Sequence, residues 1–293
     1  MDFFRDFKES FLKIKKGNIR YRKAGNGPAL LMLHGNPQTH VMWHKVAPYL
    51  VKNFTIVCPD IPGYGKSFKP KVTNHHKPFS KVSMAKDMVN FMGKLGFKTF
   101  YIVAHDRGAR IAHRLALDFP EKVIKMILLD IIPTIEHFER ADMKFAMGYY
   151  HWFWLAQRKP IPEMVINKAP EEWFFAHTSR EKKDTNFFDP MALKDYLECI
   201  KDPKTVSSIC EDYRAASKID LNDDKISREK NNKLKMPLLV LWGSKGKIEQ
   251  WYKPLCIWQK YCLQKVNGNS IVSGHYLAEE NPVSIIKNIK SFF

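Results

Sequence analysis

The chain has 293 residues, a formal net charge of +18, 45% hydrophobic and 13% aromatic residues. That content excludes a disordered chain, and the length allows one large domain or a core carrying an inserted unit. No apolar run is long enough to cross a bilayer, and Met1 to Ser10 mixes acids and bases without a leader pattern, so a cytoplasmic protein with no membrane partner is expected.

In chain order, Phe11 to Lys15 and Asn18 to Arg22 read as a hairpin turning near Gly17. Ala29 to Leu33 is a continuous apolar run ending at His34-Gly35, the mark of a strand buried on both faces in a parallel sheet. Phe54 to Cys58 is a second such strand, followed by the turn formers Asp60-Ile61-Pro62-Gly63-Tyr64-Gly65. Val82 to Leu95 predicts a helix, with Met84, Met88, Met92 and Leu95 at helical spacing as core packing. Phe100 to Ala104 is a third buried strand, and Ile111, Leu115 and Phe119 mark the helix behind it. Val123 to Leu129 is the next strand, ending at Asp130. From Pro133 to about Lys235 the chain turns aromatic-rich and helical; Pro237 to Trp242 resumes the buried-strand pattern, and a helix over Pro282 to Phe293 closes the chain.

This alternation predicts an α/β fold, a mostly parallel doubly wound sheet, with a helical cap at 133–235 inserted into a core of 1–132 and 236–293. Sites in such sheets lie at the carboxyl ends of the strands. The five cysteines, Cys58, Cys199, Cys210, Cys256 and Cys262, form no CxxC pair, so small buried thiols are expected, with no metal site and no cofactor. The positive charge is mainly scattered lysine, densest at Lys230 to Lys235, and no nucleic-acid module accompanies it. It reads either as a solvated surface or as a field that draws in an anionic substrate.

Ala104-His105-Asp106-Arg107-Gly108 joins a buried strand to an amphipathic helix. Small residues two positions either side of Asp106 form the small-x-nucleophile-x-small pattern of a nucleophile elbow, with aspartate where serine is commoner. The turn crowds the backbones, so bulk there would clash, and the helix expected to start at Arg107 favours an ionised carboxylate. A plain helix cap is the other reading of Asp106. A carboxylate nucleophile suits carbon–halogen or epoxide substrates: it attacks an sp3 carbon, and the resulting ester is hydrolysed by water activated by a histidine. His275, in Ser273-Gly274-His275-Tyr276 before the final helix, is the candidate base. Asp130 is assigned to orient it and Glu249 is the fallback. The amides of Asn36 and Arg107 are candidates for an oxyanion hole. His34 reads as a buttress of its loop.

Arg107 and Arg110 lie within one helical turn of Asp106 and can face one cavity. Unpaired charge in a pocket is costly, and a carboxylate on the substrate supplies a partner. Its repulsion from Asp106 amounts to about 4 kcal/mol at roughly 4 Å with an effective dielectric near 20. Two guanidinium groups would offset that and orient the neighbouring carbon. The alternative is that one arginine pairs with Asp130 or a surface acid.

The chain resembles the fluoroacetate (haloacetate) dehalogenases of the α/β-hydrolase superfamily nearly end to end. The matching stretches include His34-Gly35, Pro37-Gln38-Thr39-His40, Asp60 to Gly65, Leu129-Asp130-Ile131, Tyr150-His151-Trp152-Phe153, Asp212-Tyr213-Arg214-Ala215 and Gly274-His275-Tyr276-Leu277. His105-Asp106-Arg107-Gly108-Ala109-Arg110 is the most specific. The resemblance implies Asp106 as nucleophile, His275 as base, Asp130 as its partner, and Arg107 and Arg110 on the substrate carboxylate. It also implies that His151, Trp152 and Tyr213 from the cap hold the departing halide, each through an N–H or O–H donor. The implied partners are a small 2-haloacid substrate and a second copy of the chain in a homodimer, with no nucleic acid. One departure is Asn36, where members of this family usually carry an aromatic residue; asparagine there is familiar from haloalkane dehalogenases. Epoxide hydrolase and haloalkane dehalogenase are the alternatives within the same fold, and a non-enzymatic anion or nucleic-acid binder is the alternative outside it.

Overall fold

The computed structural model describes residues 3–4, 6–179 and 186–293. Its eight strands are β1 (Lys8–Ile14), β2 (Gly17–Ala24), β3 (Ala29–Leu33), β4 (Thr55–Pro59), β5 (Phe100–His105), β6 (Val123–Leu129), β7 (Leu238–Gly243) and β8 (Asn267–Ile271). They form one sheet in the order β1-β2-β4-β3-β5-β6-β7-β8. The β1–β2 and β2–β4 pairs are antiparallel, and β4 through β8 pair in parallel. Every residue of β3, β4 and β7 is buried, which is why these segments read as unbroken apolar runs. The expected hairpin is present, with both strands longer than their apolar patterns.

Helix α1 (Lys81–Lys94) follows Ser80, whose hydroxyl caps the Ser83 amide. It buries Met84, Met88, Phe91 and Met92, the expected methionine stripe. Helix α2 (Asp106–Asp118) starts one residue earlier than expected and buries Arg107 through Leu117. Between β6 and β7 the described residues hold helices α3 (Thr134–Glu139), α4 (Met143–Gly148), α5 (His151–Trp154), α6 (Ile161–Lys168), α7 (Pro170–Thr178), α8 (Pro190–Ile200), α9 (Pro203–Ala215) and α10 (Leu221–Glu229). A π-helical segment, Ala216–Asp220, joins the last two. The insert's β pairing among the described residues is a bridge from Leu234 to Cys262.

Helices α11 (Lys247–Trp251) and α12 (Pro254–Gln259) lie between β7 and β8, where no sequence pattern announced them. Helices α13 (Leu277–Glu280) and α14 (Pro282–Phe292) end the chain. Four cysteines are buried thiols, but Cys256 is exposed, against expectation, because it sits on the outer face of the short α12. No helix among the described residues is long and apolar enough to cross a membrane.

Candidate active site

The site lies at the carboxyl ends of β3, β5, β6 and β8, beneath the helices of the insert. Asp106 opens α2 with φ of +44°, a left-handed conformation that strains any residue with a Cβ. The crowding that demanded small neighbours is visible. A Cβ on Gly108 would lie 2.3 Å from the His34 carbonyl oxygen, and one on Gly35 would lie 2.5 Å from the Asp106 Cβ. The Asn36 amide donates to Asp106 Oδ1 at 2.9 Å; none of the described bonds joins the Arg107 amide to that carboxylate. His34 bonds Gly35 O through Nδ1 at 2.9 Å and accepts from the Ile61 amide at 3.0 Å, so it buttresses two loops.

His275 follows β8. Its Nδ1 lies 2.6 Å from Asp130 Oδ2, and its Nε2 lies 4.0 Å from Asp106 Oδ2. Asp130 also has a positive φ, +53°, and its Oδ1 accepts from the Gly243 amide at 2.9 Å. Both strained aspartates therefore terminate adjacent strands and face one histidine. Glu249, the fallback acid, instead accepts from the Trp242 indole.

Burial alone would push the Asp106 carboxyl up. The charges of His275, His105, Arg107 and Arg110 outweigh it and hold the group well below the usual carboxylate range. Asp106 is thus ionised at neutral pH, as a nucleophile must be.

Arg107 and Arg110 sit under the aromatics of the insert. The Arg107 guanidinium lies 4.4 Å from the Tyr213 ring centre and 5.6 Å from that of Trp152; Arg110 lies 4.6 Å from Trp152. These are cation–π distances. Arg107 is half committed: Nε and Nη2 grip Asp212 at 2.9 and 2.7 Å. The partner acid is thus a buried residue of α9 and neither Asp130 nor a surface acid. Tyr64 donates to the same carboxylate at 2.7 Å, and Lys81 pairs with it. Arg110 Nη1 donates to Ile132 O at 3.1 Å and Thr134 Oγ1 at 3.0 Å. Arg107 Nη1 and Arg110 Nε are buried without a hydrogen-bond partner. Burial and the neighbouring Arg107 charge push the Arg110 pKa down to about 10.

His151 and Trp152 open α5, and Tyr213 lies on α9. The His151 and Trp152 rings meet Tyr213 edge-on at 5.8 and 5.9 Å. The three residues expected at one subsite are therefore neighbours, and two of them lie over the arginines.

Four residues of this region escaped the sequence. His105 donates through Nε2–H to the His275 carbonyl oxygen at 2.8 Å and packs on the His275 ring at 4.6 Å. His137 packs on Trp152 at 5.0 Å; burial and Arg110 drive its pKa well down. Asp212 directly precedes Tyr213 and was the one with a signal, an acid beside a site candidate. His177 meets the Asn36 side chain at 3.1 Å, and nothing in its own segment announces it.

A strained strand-to-helix turn that presents a carboxylate, with a histidine–aspartate pair from later strand ends, defines an α/β enzyme of the hydrolase type. Residues 28–282 match the alpha/beta hydrolase fold family, and the chain belongs to that family. It is 35% identical to a fluoroacetate dehalogenase from Burkholderia sp, over 99% of this chain and 94% of that one. It is 27% identical to a soluble epoxide hydrolase from Corynebacterium sp. (strain C12), over 94% and 93%. A solved structure described as an alpha/beta hydrolase from Nostoc sp PCC 7120 superposes with a TM-score of 0.96 at 45% identity, covering 99% of this chain and 98% of that chain.

Proposed function

We propose that this enzyme is a hydrolytic dehalogenase that converts a haloacetate, such as fluoroacetate or chloroacetate, to glycolate and halide. The observation that carries this reading is the pair of buried, unpartnered donors, Arg107 Nη1 and Arg110 Nε, beside an anionic Asp106. Buried cationic N–H groups without acceptors are costly. A carboxylate on the substrate offers both an acceptor oxygen and a compensating charge, whereas a neutral epoxide offers one oxygen and no charge.

In this reading an Asp106 oxygen attacks the α-carbon in line, and the halide leaves with the bonding pair. His151, Trp152 and Tyr213 donate to the halide as its charge develops. Water then adds to the aspartyl carbonyl of the ester while His275 Nε2 takes its proton, and Asp130 stabilises the imidazolium. The Asn36 amide stabilises the tetrahedral oxyanion; collapse breaks the bond to the glycolate oxygen, which takes the proton back from His275, and Asp106 returns to its carboxylate as its remaining proton passes to solvent. The helices between β6 and β7 serve as a cap that keeps bulk water from the fluoride-leaving step.

Halide release from fluoroacetate and chloroacetate tests the proposal directly. A His275→Ala variant should stall after the first step and carry the ester on Asp106, seen as a mass increase of the intact protein. The Corynebacterium relative favours a second reading, an epoxide hydrolase with Tyr213 as a proton donor. Turnover of styrene oxide with no halide release from either haloacid would establish that reading and sink the first.

A further inference from the structure

Most of the Arg107 guanidinium is taken up inside the protein. Its Nε donates to Asp212 Oδ2 at 2.9 Å, and its Nη2 donates to Asp212 Oδ1 at 2.7 Å and to the Asp212 carbonyl at 3.1 Å. The buried, unpartnered Nη1 is the edge left for a ligand. An arginine gripped by one carboxylate in this way presents a dipole, because the acid cancels most of its charge at a distance. A substrate carboxylate would then meet little net positive charge from Arg107.

Asp212, however, does not belong to Arg107 alone. Lys81 Nζ pairs with the same Oδ1, and Tyr64 donates to Oδ2 at 2.7 Å. Lys81, Arg107 and Asp212 are all buried. Burial would raise the Asp212 carboxyl, but the Arg107 and Lys81 charges outweigh it and hold the group well below the usual carboxylate range. A single ionised acid is thus shared by two cations, and the trio keeps an excess of positive charge. Behind it stands one further acid, Asp220. Its Oδ2 lies 3.6 Å from Lys81 Nζ, and its Oδ1 accepts from the Lys81 amide at 2.7 Å. Burial pushes the Asp220 carboxyl up, which weakens its hold on the lysine charge.

We infer that Lys81, which opens α1 outside the group expected to touch substrate, is a positioning residue for anion recognition: it shares Asp212 with Arg107 and restores the positive charge that Asp212 takes from it. This rests on the haloacid reading in one respect, the placing of a substrate carboxylate on Arg107 and Arg110, and it deepens that reading. Without the Lys81 charge, Arg107 would face Asp212 and Asp220 alone, and the pocket would lose its preference for anions while keeping its shape.

The test is Lys81→Gln, which keeps a donor for Asp212 and removes the charge. Dissociation constants of acetate and acetamide are read by calorimetry on the whole protein, so turnover is not required. The acetate constant should rise roughly tenfold, on the order expected of one charge acting a few ångströms further off at an effective dielectric near 20. The acetamide constant should hold. With fluoroacetate or chloroacetate KM should rise by a similar factor at unchanged kcat, because the carboxylate stays bound throughout the displacement. Lys81→Met, neutral and of similar length, should behave alike, and it carries the test if the glutamine variant does not fold. Unchanged acetate binding, or equal weakening of acetate and acetamide, overturns the inference and leaves the dehalogenase reading intact. The expected loss for acetate alone, with no halide release from any haloacetate by the unaltered protein, supports the inference and sinks the dehalogenase reading. Equal affinity of the unaltered protein for acetate and acetamide overturns both.

Discussion

At Asp106 the chain accepts a φ of +44° for the sake of a carboxylate that stands clear of its own strand. The strain holds because the surrounding backbone leaves no alternative. Gly108 is the clearest case: its Cα faces the His34 carbonyl so closely that a methyl group would sit 2.3 Å from the oxygen. Backbone cannot yield as a side-chain tip can. Gly108→Ala should therefore cost about 1–3 kcal/mol, the usual range for overpacking, read from the urea midpoint at unchanged slope. It should also push α2 away from β3 and, with Asp106 as the proposed nucleophile, lower the rate by displacing that carboxylate. A variant as stable as the parent would mean that the two backbones are not held in contact. The same crowding made Asp106 legible in the sequence, because it forces small residues at fixed offsets. His275 and Asp130 were legible through their places after strands. Asp212 showed only as an acid beside Tyr213, and His137 and His177 were not legible. Their roles arise from packing between distant segments, such as Asn36 against His177, and no local spacing encodes that.

Among the elements, legibility followed burial. The fully buried β3, β4 and β7 are unbroken apolar runs, whereas β8 is the edge strand Asn-Gly-Asn-Ser-Ile with one buried residue, and its hydropathy resembles a loop. The loop after β4 shows how an element end is held. Asp60 is wholly buried; it accepts from the His40 amide at 2.9 Å and the Lys66 amide at 2.9 Å, and it faces the His40 ring at 2.7 Å and Arg20 at 3.5 Å. Burial would raise its pKa, but His40 and Arg20 outweigh that and hold it far below the usual carboxylate range. A group whose folded pKa is depressed stabilises the fold above its unfolded value, near 4, and that contribution is lost as pH falls below it. Arg20 keeps Glu9 and Asp195 at 2.8 and 2.7 Å, so Asp60→Asn should destabilise at neutral pH by about 1–3 kcal/mol, the cost of leaving buried donors unsatisfied. The difference from the parent should shrink as pH is lowered through about 4 toward the folded value. Denaturant titrations across that range check it, and a difference independent of pH would show that Asp60 acts by shape alone.

For the whole molecule, the formal charge understates how positive the surface is. Among the described residues ten aspartates and glutamates are buried, against six lysines and arginines. Asp60, Asp130 and Asp212 each occupy an internal position where they hold a loop end, a histidine or an arginine. The net charge of +18 is thus carried by an outer shell poorer in acids than the sequence as a whole. A small anion approaching such a shell is attracted at long range, while a neutral molecule of the same size is not. At an ionic strength of 0.1 M the field decays over about 10 Å, so added salt should weaken capture of the anion alone. If the substrate is a haloacetate, as proposed, acetate and acetamide separate this from the local effect of Arg107 and Arg110, since both share its size and neither carries a leaving group. Raising ionic strength with a non-halide salt should increase the inhibition constant of acetate severalfold and leave that of acetamide unchanged. Equal responses would confine the recognition of anions to the two arginines. The lysine shell would then be a solvated surface without a part in capturing substrate.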